Sequence, residues 1–145
     1  MKASSEAVVV EQLMNTSRAK VWSAISNLEE MKQWYFDNID AFMPEVGAKS
    51  HFKVQVEDRV YTHLWTVTDV IPGHKLRYNW KYEEYQGDSF VTFEIFENEG
   101  KISVRLTAEV TEDFEEGIPE FTRASCVGGW NYFIGLRLKD YLEAN

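Results

Sequence analysis

Gly128-Gly129-Trp130-Asn131-Tyr132-Phe133-Ile134-Gly135-Leu136-Arg137-Leu138-Lys139-Asp140-Tyr141-Leu142 is the stretch on which the fold turns. At about 100° per residue with Trp130 at zero, Tyr141 falls at about 20°, Ile134 at about 40°, Val127 at about 60°, Leu138 at about 80°, Phe133 at about 300° and Cys126 at about 320°. The arc takes in roughly half the circumference, wider than the stripe of about 100° or a little more on an ordinary surface helix. A helix so apolar has to be covered, and the residues before it read as strands. One curved sheet wrapped around one long helix buries it and leaves room for a cavity between the two.

Working back toward the start, the strands announce themselves by alternation. Ala7 to Met14 is β-rich and reads as a first strand. From Ser17 the spacing of Val21, Trp22 and Ile25 is helical and stops near Ser26, and Asn27 opens a second short helix with Glu30 three residues on as a capping-box partner. Asp37 to Gly47 is a connection with room for a short strand at Ala41-Phe42-Met43. Phe52, Val54 and Val56 alternate with polar residues, Asp58-Arg59 makes a tight turn, and Val60 to Ile71 is closed by Pro72-Gly73. Leu76, Tyr78, Trp80 and Tyr82 share a face, as do Val91, Phe93 and Ile95, and then Ile102, Val104, Leu106, Ala108 and Val110, with turns at Gln86-Gly87-Asp88 and Asn98-Glu99-Gly100. Short turns between consecutive strands imply an antiparallel sheet, apolar on its concave face and wet on the other. The last helix is expected to take Pro119 in its first turn and run to about Glu143. Gly128, Gly129 and Gly135 each cost ~1 kcal/mol relative to Ala inside a helix, which suggests close backbone approach or a kink. The expected fold is α+β, a helix-grip arrangement in the order βααβββββα: a curved antiparallel sheet around a long C-terminal helix, with two short helices after the first strand, as one domain over residues 1–145.

Composition narrows the function classes. The chain has 145 residues, 44% hydrophobic and 14% aromatic, with a formal net charge of −9. That charge repels phosphate backbones and anionic membrane surfaces, so neither nucleic acid nor membrane is an expected partner. Glu112-Asp113-Phe114-Glu115-Glu116 reads as a solvated loop, with a docking site for a basic partner as the other reading. Cys126 is alone, which rules out an intrachain disulfide, and it reads as a small buried hydrophobe. Lys2, Glu6 and Glu11 break up the first 15 residues and no run of 18 uncharged apolar residues occurs, so no signal peptide or membrane span is expected and the compartment is taken as cytoplasmic.

The ordered set Ser17-Arg18-Ala19-Lys20-Val21-Trp22, Trp34, Pro44-Glu45-Val46-Gly47, Ile71-Pro72-Gly73-His74-Lys75-Leu76, Val91-Thr92-Phe93-Glu94-Ile95, Leu106-Thr107 and Gly129-Trp130 through Leu138-Lys139-Asp140-Tyr141-Leu142 spans nearly the whole chain. In this set the chain resembles the START-like (SRPBCC) superfamily of helix-grip proteins, and within it the bacterial branch similar to the activator of heat-shock protein 90 ATPase. The resemblance implies a cavity between sheet and C-terminal helix. It implies no single activity, since members bind lipids, hormones and polyketides and some are enzymes. One position departs: the branch commonly carries a His after the Leu-Thr pair, and here Ala108 stands there. Any role of that His is absent or moved.

The residues themselves offer little catalytic chemistry. His51, His63 and His74 lie on three segments without metal-ligand spacing, and no Gly-x-Ser-x-Gly or phosphate-binding Gly motif occurs, so no metal and no cofactor is expected. His51 alternates with Phe52 and should point outward, and His74 belongs to a turn. In Tyr61-Thr62-His63-Leu64-Trp65-Thr66-Val67 both faces carry apolar groups, so either set can face inward; turned inward, His63 orients a polar ligand or acts as a base, and turned outward it is a plain surface or hydrogen-bonded histidine. Arg137, at about 340° on the same helical wheel, falls inside the apolar arc. It is read either as an internal ion pair or a snorkelling side chain, or as an anchor for a ligand carboxylate or phosphate. Trp65, Tyr78, Trp80, Phe93, Trp130 and Phe133 complete the candidate cavity wall, and each is also a plausible core residue. The leading expectation is a non-catalytic START-like domain binding a small hydrophobic or amphipathic ligand, as monomer or homodimer. The alternatives are a co-chaperone-type module that meets a protein partner such as a chaperone through its acidic surface, and a small cyclase- or hydrolase-like enzyme using the cavity.

Overall fold

The computed structural model describes residues 1–144. Six antiparallel strands form one sheet: β1 (Val8–Met14), β2 (Lys49–Val56), β3 (Arg59–Ile71), β4 (Lys75–Tyr82), β5 (Asp88–Asn98) and β6 (Lys101–Glu112), in the spatial order β1-β6-β5-β4-β3-β2. The chain meanders from β2 to β6, and β1 then pairs with β6, Val10 opposite Leu106. Alternation sends Leu76, Tyr78, Trp80, Val91, Phe93, Ile95, Val104 and Leu106 to one buried face. Against that face lie α1 (Arg18–Ser26), α2 (Leu28–Trp34) and a long C-terminal helix made of α3 (Arg123–Trp130), a π-helical stretch (Asn131–Leu138) and α4 (Lys139–Ala144). The helix-grip arrangement is therefore present.

Local chemistry explains the helix ends. Ser17 Oγ accepts the Lys20 amide and Asn27 Oδ1 accepts the Glu30 amide at 3.1 Å, each satisfying a donor that a first turn leaves free. Only half of the predicted capping box closes, because the Glu30 carboxylate accepts instead from Ser23 and from the Tyr141 hydroxyl. Arg18 ties α1 to the sheet, donating to the carbonyls of Gly73 at 2.9 Å and Ile95 at 3.2 Å. Among the described residues no helix is long and apolar enough to cross a membrane.

Four expectations shift in detail. No strand forms at Ala41-Phe42-Met43. The β2–β3 turn falls on Glu57-Asp58, with Glu57 at φ 56°, and Arg59 already belongs to β3. Pro119 opens a separate one-turn 3-10 helix (Pro119–Phe121), and the long helix starts only after Thr122, whose side chain accepts the Ser125 amide. Phe114, in the middle of the acidic 112–116 segment, is buried and anchors a second apolar cluster with Tyr61 and Phe121.

The glycines of the last helix do not mark a close approach. A Cβ on Gly128 or Gly129 would meet nothing within 4 Å, and one on Gly135 only Gln12 Oε1 at 3.7 Å. The irregularity lies in the hydrogen-bond ladder, which widens to i→i+5 over Asn131–Leu138. In that wider turn each residue advances about 80° rather than about 100°. The drift between residues four apart changes sign there, from about +40° to about −40°, so Trp130, Ile134, Leu138 and Leu142 stay on one buried ridge.

Candidate functional site

Between β3–β6 and the start of the long helix lies a cavity of about 210 Å3. Its inner wall is formed by Phe36, His63, Trp80, Tyr82, Val91 and Trp130, with Gly129 and Phe133 on the helix side. Toward its outer end the lining turns to exposed groups of both signs, Lys2, Glu6, Glu109 and Arg123 among them. The N-terminal segment crosses that end. The Met1 ammonium donates to the Phe121 carbonyl at 2.6 Å, the Phe114 amide to the Met1 carbonyl at 3.0 Å, and Arg123 Nη1 to the Glu6 carbonyl at 2.6 Å.

His63 is the polar centre of the wall. The alternating set Tyr61, His63, Trp65 and Val67 faces inward, and His63 is only 4% exposed. Its ring stacks on Phe52 at 4.7 Å with 13° between planes, and lies 5.0 Å from Phe36 and 5.3 Å from Trp80. Nδ1 sits 3.0 Å from the Tyr61 carbonyl, which only accepts, so Nδ1 carries the proton and Nε2 is left as an acceptor. Nε2 takes no hydrogen bond among the described residues. Burial pushes the imidazole pKa down to about 4, against smaller raising effects from the Tyr61 carbonyl and the Glu84 charge. Burial also raises the Tyr82 hydroxyl and the Cys126 thiol, both cavity-lining and both neutral at pH 7.

A staple fixes the strand beneath. Arg59 Nε donates to Glu120 Oε1 at 2.9 Å, and the Tyr61 hydroxyl donates to the same carboxylate, joining β3 to the 3-10 turn. Hydrogen bonds from Arg59 and Tyr61 hold Glu120 below the usual carboxylate range, and burial together with Glu120 pushes Tyr61 up to about 12.

The eight candidate residues separate into three groups. His63, Trp80, Trp130 and Phe133 line the cavity. Trp65, Tyr78 and Phe93 lie a layer deeper, fully buried behind the connection after α2: Tyr35 packs on Trp65 at 5.4 Å and on Phe93 at 6.3 Å, and Phe42 on Tyr78 at 5.9 Å. Trp65 Nε1 is buried without a hydrogen-bond partner, and its ring lies 5.1 Å from Trp80 at 48°.

Arg137 is outside the cavity altogether, and the expected burial inside the apolar arc does not hold. At about 80° per residue through the π-helical stretch it comes to lie about 160° away from Trp130, half-exposed, donating to the Gln33 carbonyl at 2.8 Å and the Tyr132 hydroxyl at 3.2 Å. There it borders a second depression, of about 420 Å3, with Lys32, Asp37, Asn38 and Lys53. Phe36 lines both spaces. Sequence reasoning missed Phe36, Ser89 and the N-terminal residues of the lining. Tyr82 was within reach, two positions beyond Trp80 on the same alternating face.

The sequence model of the family described as Activator of Hsp90 ATPase homolog 1-like protein matches residues 15–143. No curated protein matches the chain. Three solved structures resemble it over nearly their whole length: a protein from Chromobacterium violaceum at TM-score 0.79 and 13% identity, covering 97% of this chain and 99% of that one; a protein from Mesorhizobium loti at 0.72 and 22%, covering 97% and 98%; and the Aha1 dimer from Colwellia psychrerythraea at 0.71 and 20%, covering 96% and 97%. At these identities the likeness is one of fold.

Proposed function

We propose, from the premise that the chain belongs to the Activator of Hsp90 ATPase homolog 1-like family, that it binds a small hydrophobic or amphipathic molecule in the cavity between sheet and C-terminal helix and does not transform it. The observation that carries this reading is the cavity itself, with aromatic walls and one inward acceptor, His63 Nε2. At about 210 Å3 it is smaller than the ~300 Å3 at which drug-sized pockets begin, so the fitting ligand is compact or enters with only part of its length. A donor on the ligand would meet Nε2, while Trp80 and Trp130 supply apolar area. An imidazole with pKa about 4 is a weak general base at neutral pH, which supports binding over catalysis. A lone cysteine fits work in a reducing cytoplasm.

Gly129 supplies the test. It lines the cavity, and a Cβ built there meets no heavy atom within 4 Å. Gly129→Leu therefore fills the space from a helix position that prefers Leu to Gly by roughly 1 kcal/mol. Titration with the neutral fluorophore N-phenyl-1-naphthylamine should give saturable enhancement with the parent chain and at least about a tenfold loss of affinity (~1.4 kcal/mol) in Gly129→Leu, with an unchanged fold by circular dichroism. Equal binding by both chains, or none by either, would overturn the reading.

A further inference from the structure

On the far side of Phe36 from the cavity, the second depression gathers Lys32, Lys53 and Arg137, with Asp37 the one carboxylate in its lining. This is unusual in a chain of net charge −9 with 24 acidic residues. Elsewhere Lys2, Arg18, Arg59, Arg77, Arg105 and Lys139 pair with carboxylates, but among the described residues Lys32, Lys53 and Arg137 form no such ion pair, Lys53 acting on Glu84 only at longer range. Arg137 is held in place by a carbonyl and a phenol, which occupy two of its five N–H groups and leave the other three to a ligand. Asn38 and Gln55 add amide groups to the same lining. The opposite end of the cavity carries both signs of charge.

We infer that this depression is an anion site for the carboxylate of a straight-chain amphiphile whose apolar tail passes Phe36 into the cavity. The inference rests on the cavity reading above and names the ligand class for it. Phe36 is placed to act as the partition between the two ends of such a molecule. Its ring lies 5.1 Å from Phe133 and 6.1 Å from Trp80, so it is flanked by the apolar wall on one side and the cations on the other. Carboxylate outside and alkyl inside leaves no buried unpaired charge, the arrangement that burial energetics favour.

The experiment compares decanoate, decanol and acetate by titration calorimetry at low salt, with the parent chain and with the triple variant Lys32→Gln, Lys53→Gln, Arg137→Gln. The expected result is that decanoate binds about tenfold tighter than decanol, that added salt erodes the difference, and that the triple variant abolishes it while still binding decanol. Acetate alone should bind weakly or not at all. Equal affinity for decanoate and decanol, or a preference that survives in the triple variant, would overturn the anion site and leave the cavity reading standing. Failure of both alkyl ligands with retained binding of the neutral fluorophore would do the same. Failure of all three would remove both. Lys53→Gln alone, an exposed single change, repeats the comparison if the triple variant folds poorly, and it should reduce the preference in part; an undiminished preference there counts against the site.

Discussion

Lowering the pH should destabilise this protein through His63 in a way that its neighbours do not share. The imidazole is nearly sealed from solvent, with Nδ1 on the Tyr61 carbonyl and aromatic rings on its faces, and its pKa falls from 6.5 to about 4 because burial disfavours the cation. Between those two values the unfolded chain binds a proton that the folded chain does not, so stability rises with pH across this window and is lost as the pH drops through it. The loss amounts to ~2 kcal/mol by pH 5 and ~3 kcal/mol by pH 4. Carboxylates contribute their own pH dependence in the lower part of that range, so the informative quantity is the difference from His63→Phe, which keeps a ring against Phe52 and Phe36 but has nothing to protonate. Urea unfolding at pH 7, 6 and 5 reads it directly. With an m-value of about 2 kcal/mol/M, the midpoint of the parent should fall by about 1 M more than that of His63→Phe from pH 7 to pH 5. Parallel loss of stability in both chains would mean that His63 titrates normally, and the inward, neutral assignment would fall.

Three further outcomes follow from geometry. Gly87 sits at φ 127°, and a Cβ there would lie 2.1 Å from Phe114 Cδ1, so Gly87→Ala should cost at least ~3 kcal/mol by chemical denaturation; a near-neutral change would show that Phe114 is not held where it is placed. Tyr35 and Tyr78 hydroxyls are 2.8 Å apart and fully buried, so each single Phe substitution should cost about 1–3 kcal/mol by orphaning its partner, and the double variant should cost less than the sum; strict additivity in a double-mutant cycle would deny the pair. Gly128 is exposed with open space around it, and Gly128→Ala should raise the thermal midpoint by about 3 °C for roughly 1 kcal/mol of helix propensity, where no change in a calorimetric scan would count against a helical Gly128.

Period-two alternation made β4, β5 and β6 legible, because a half-buried strand must repeat every second residue whatever lies opposite it. Ser17 and Asn27 were legible for a local reason too, since a cap needs only the next three residues. The site was less so. His63 has no face assignable from sequence, because apolar groups stand on both sides of its strand; the structure buries Thr62 beside it as well, its amide and hydroxyl both bonded to the Glu84 carboxylate. Alternation alone puts Trp65, Tyr78 and Phe93 on the cavity wall, but Tyr35 and Phe42 fold over them from a connection with no periodicity to announce it. A constant helical step puts Arg137 inside the apolar arc, and the widened turn over Asn131–Leu138 that moves it out leaves no mark in residue type. The lining by Met1 to Glu6 is a contact more than 100 residues long in sequence, beyond the reach of any local pattern.

The paired indoles of Trp65 and Trp80, 5.1 Å apart and inclined at 48°, have an optical consequence. Two such chromophores, close and skewed, share their excitation and split it into bands of opposite handedness in far-ultraviolet circular dichroism. Trp65 stands in the sealed interior and Trp80 borders the cavity, so a guest that tilted Trp80 would change the sign-paired signal without any change in helix or sheet content. For the ligand proposed above, the indole pair would serve as a label-free gauge of occupancy.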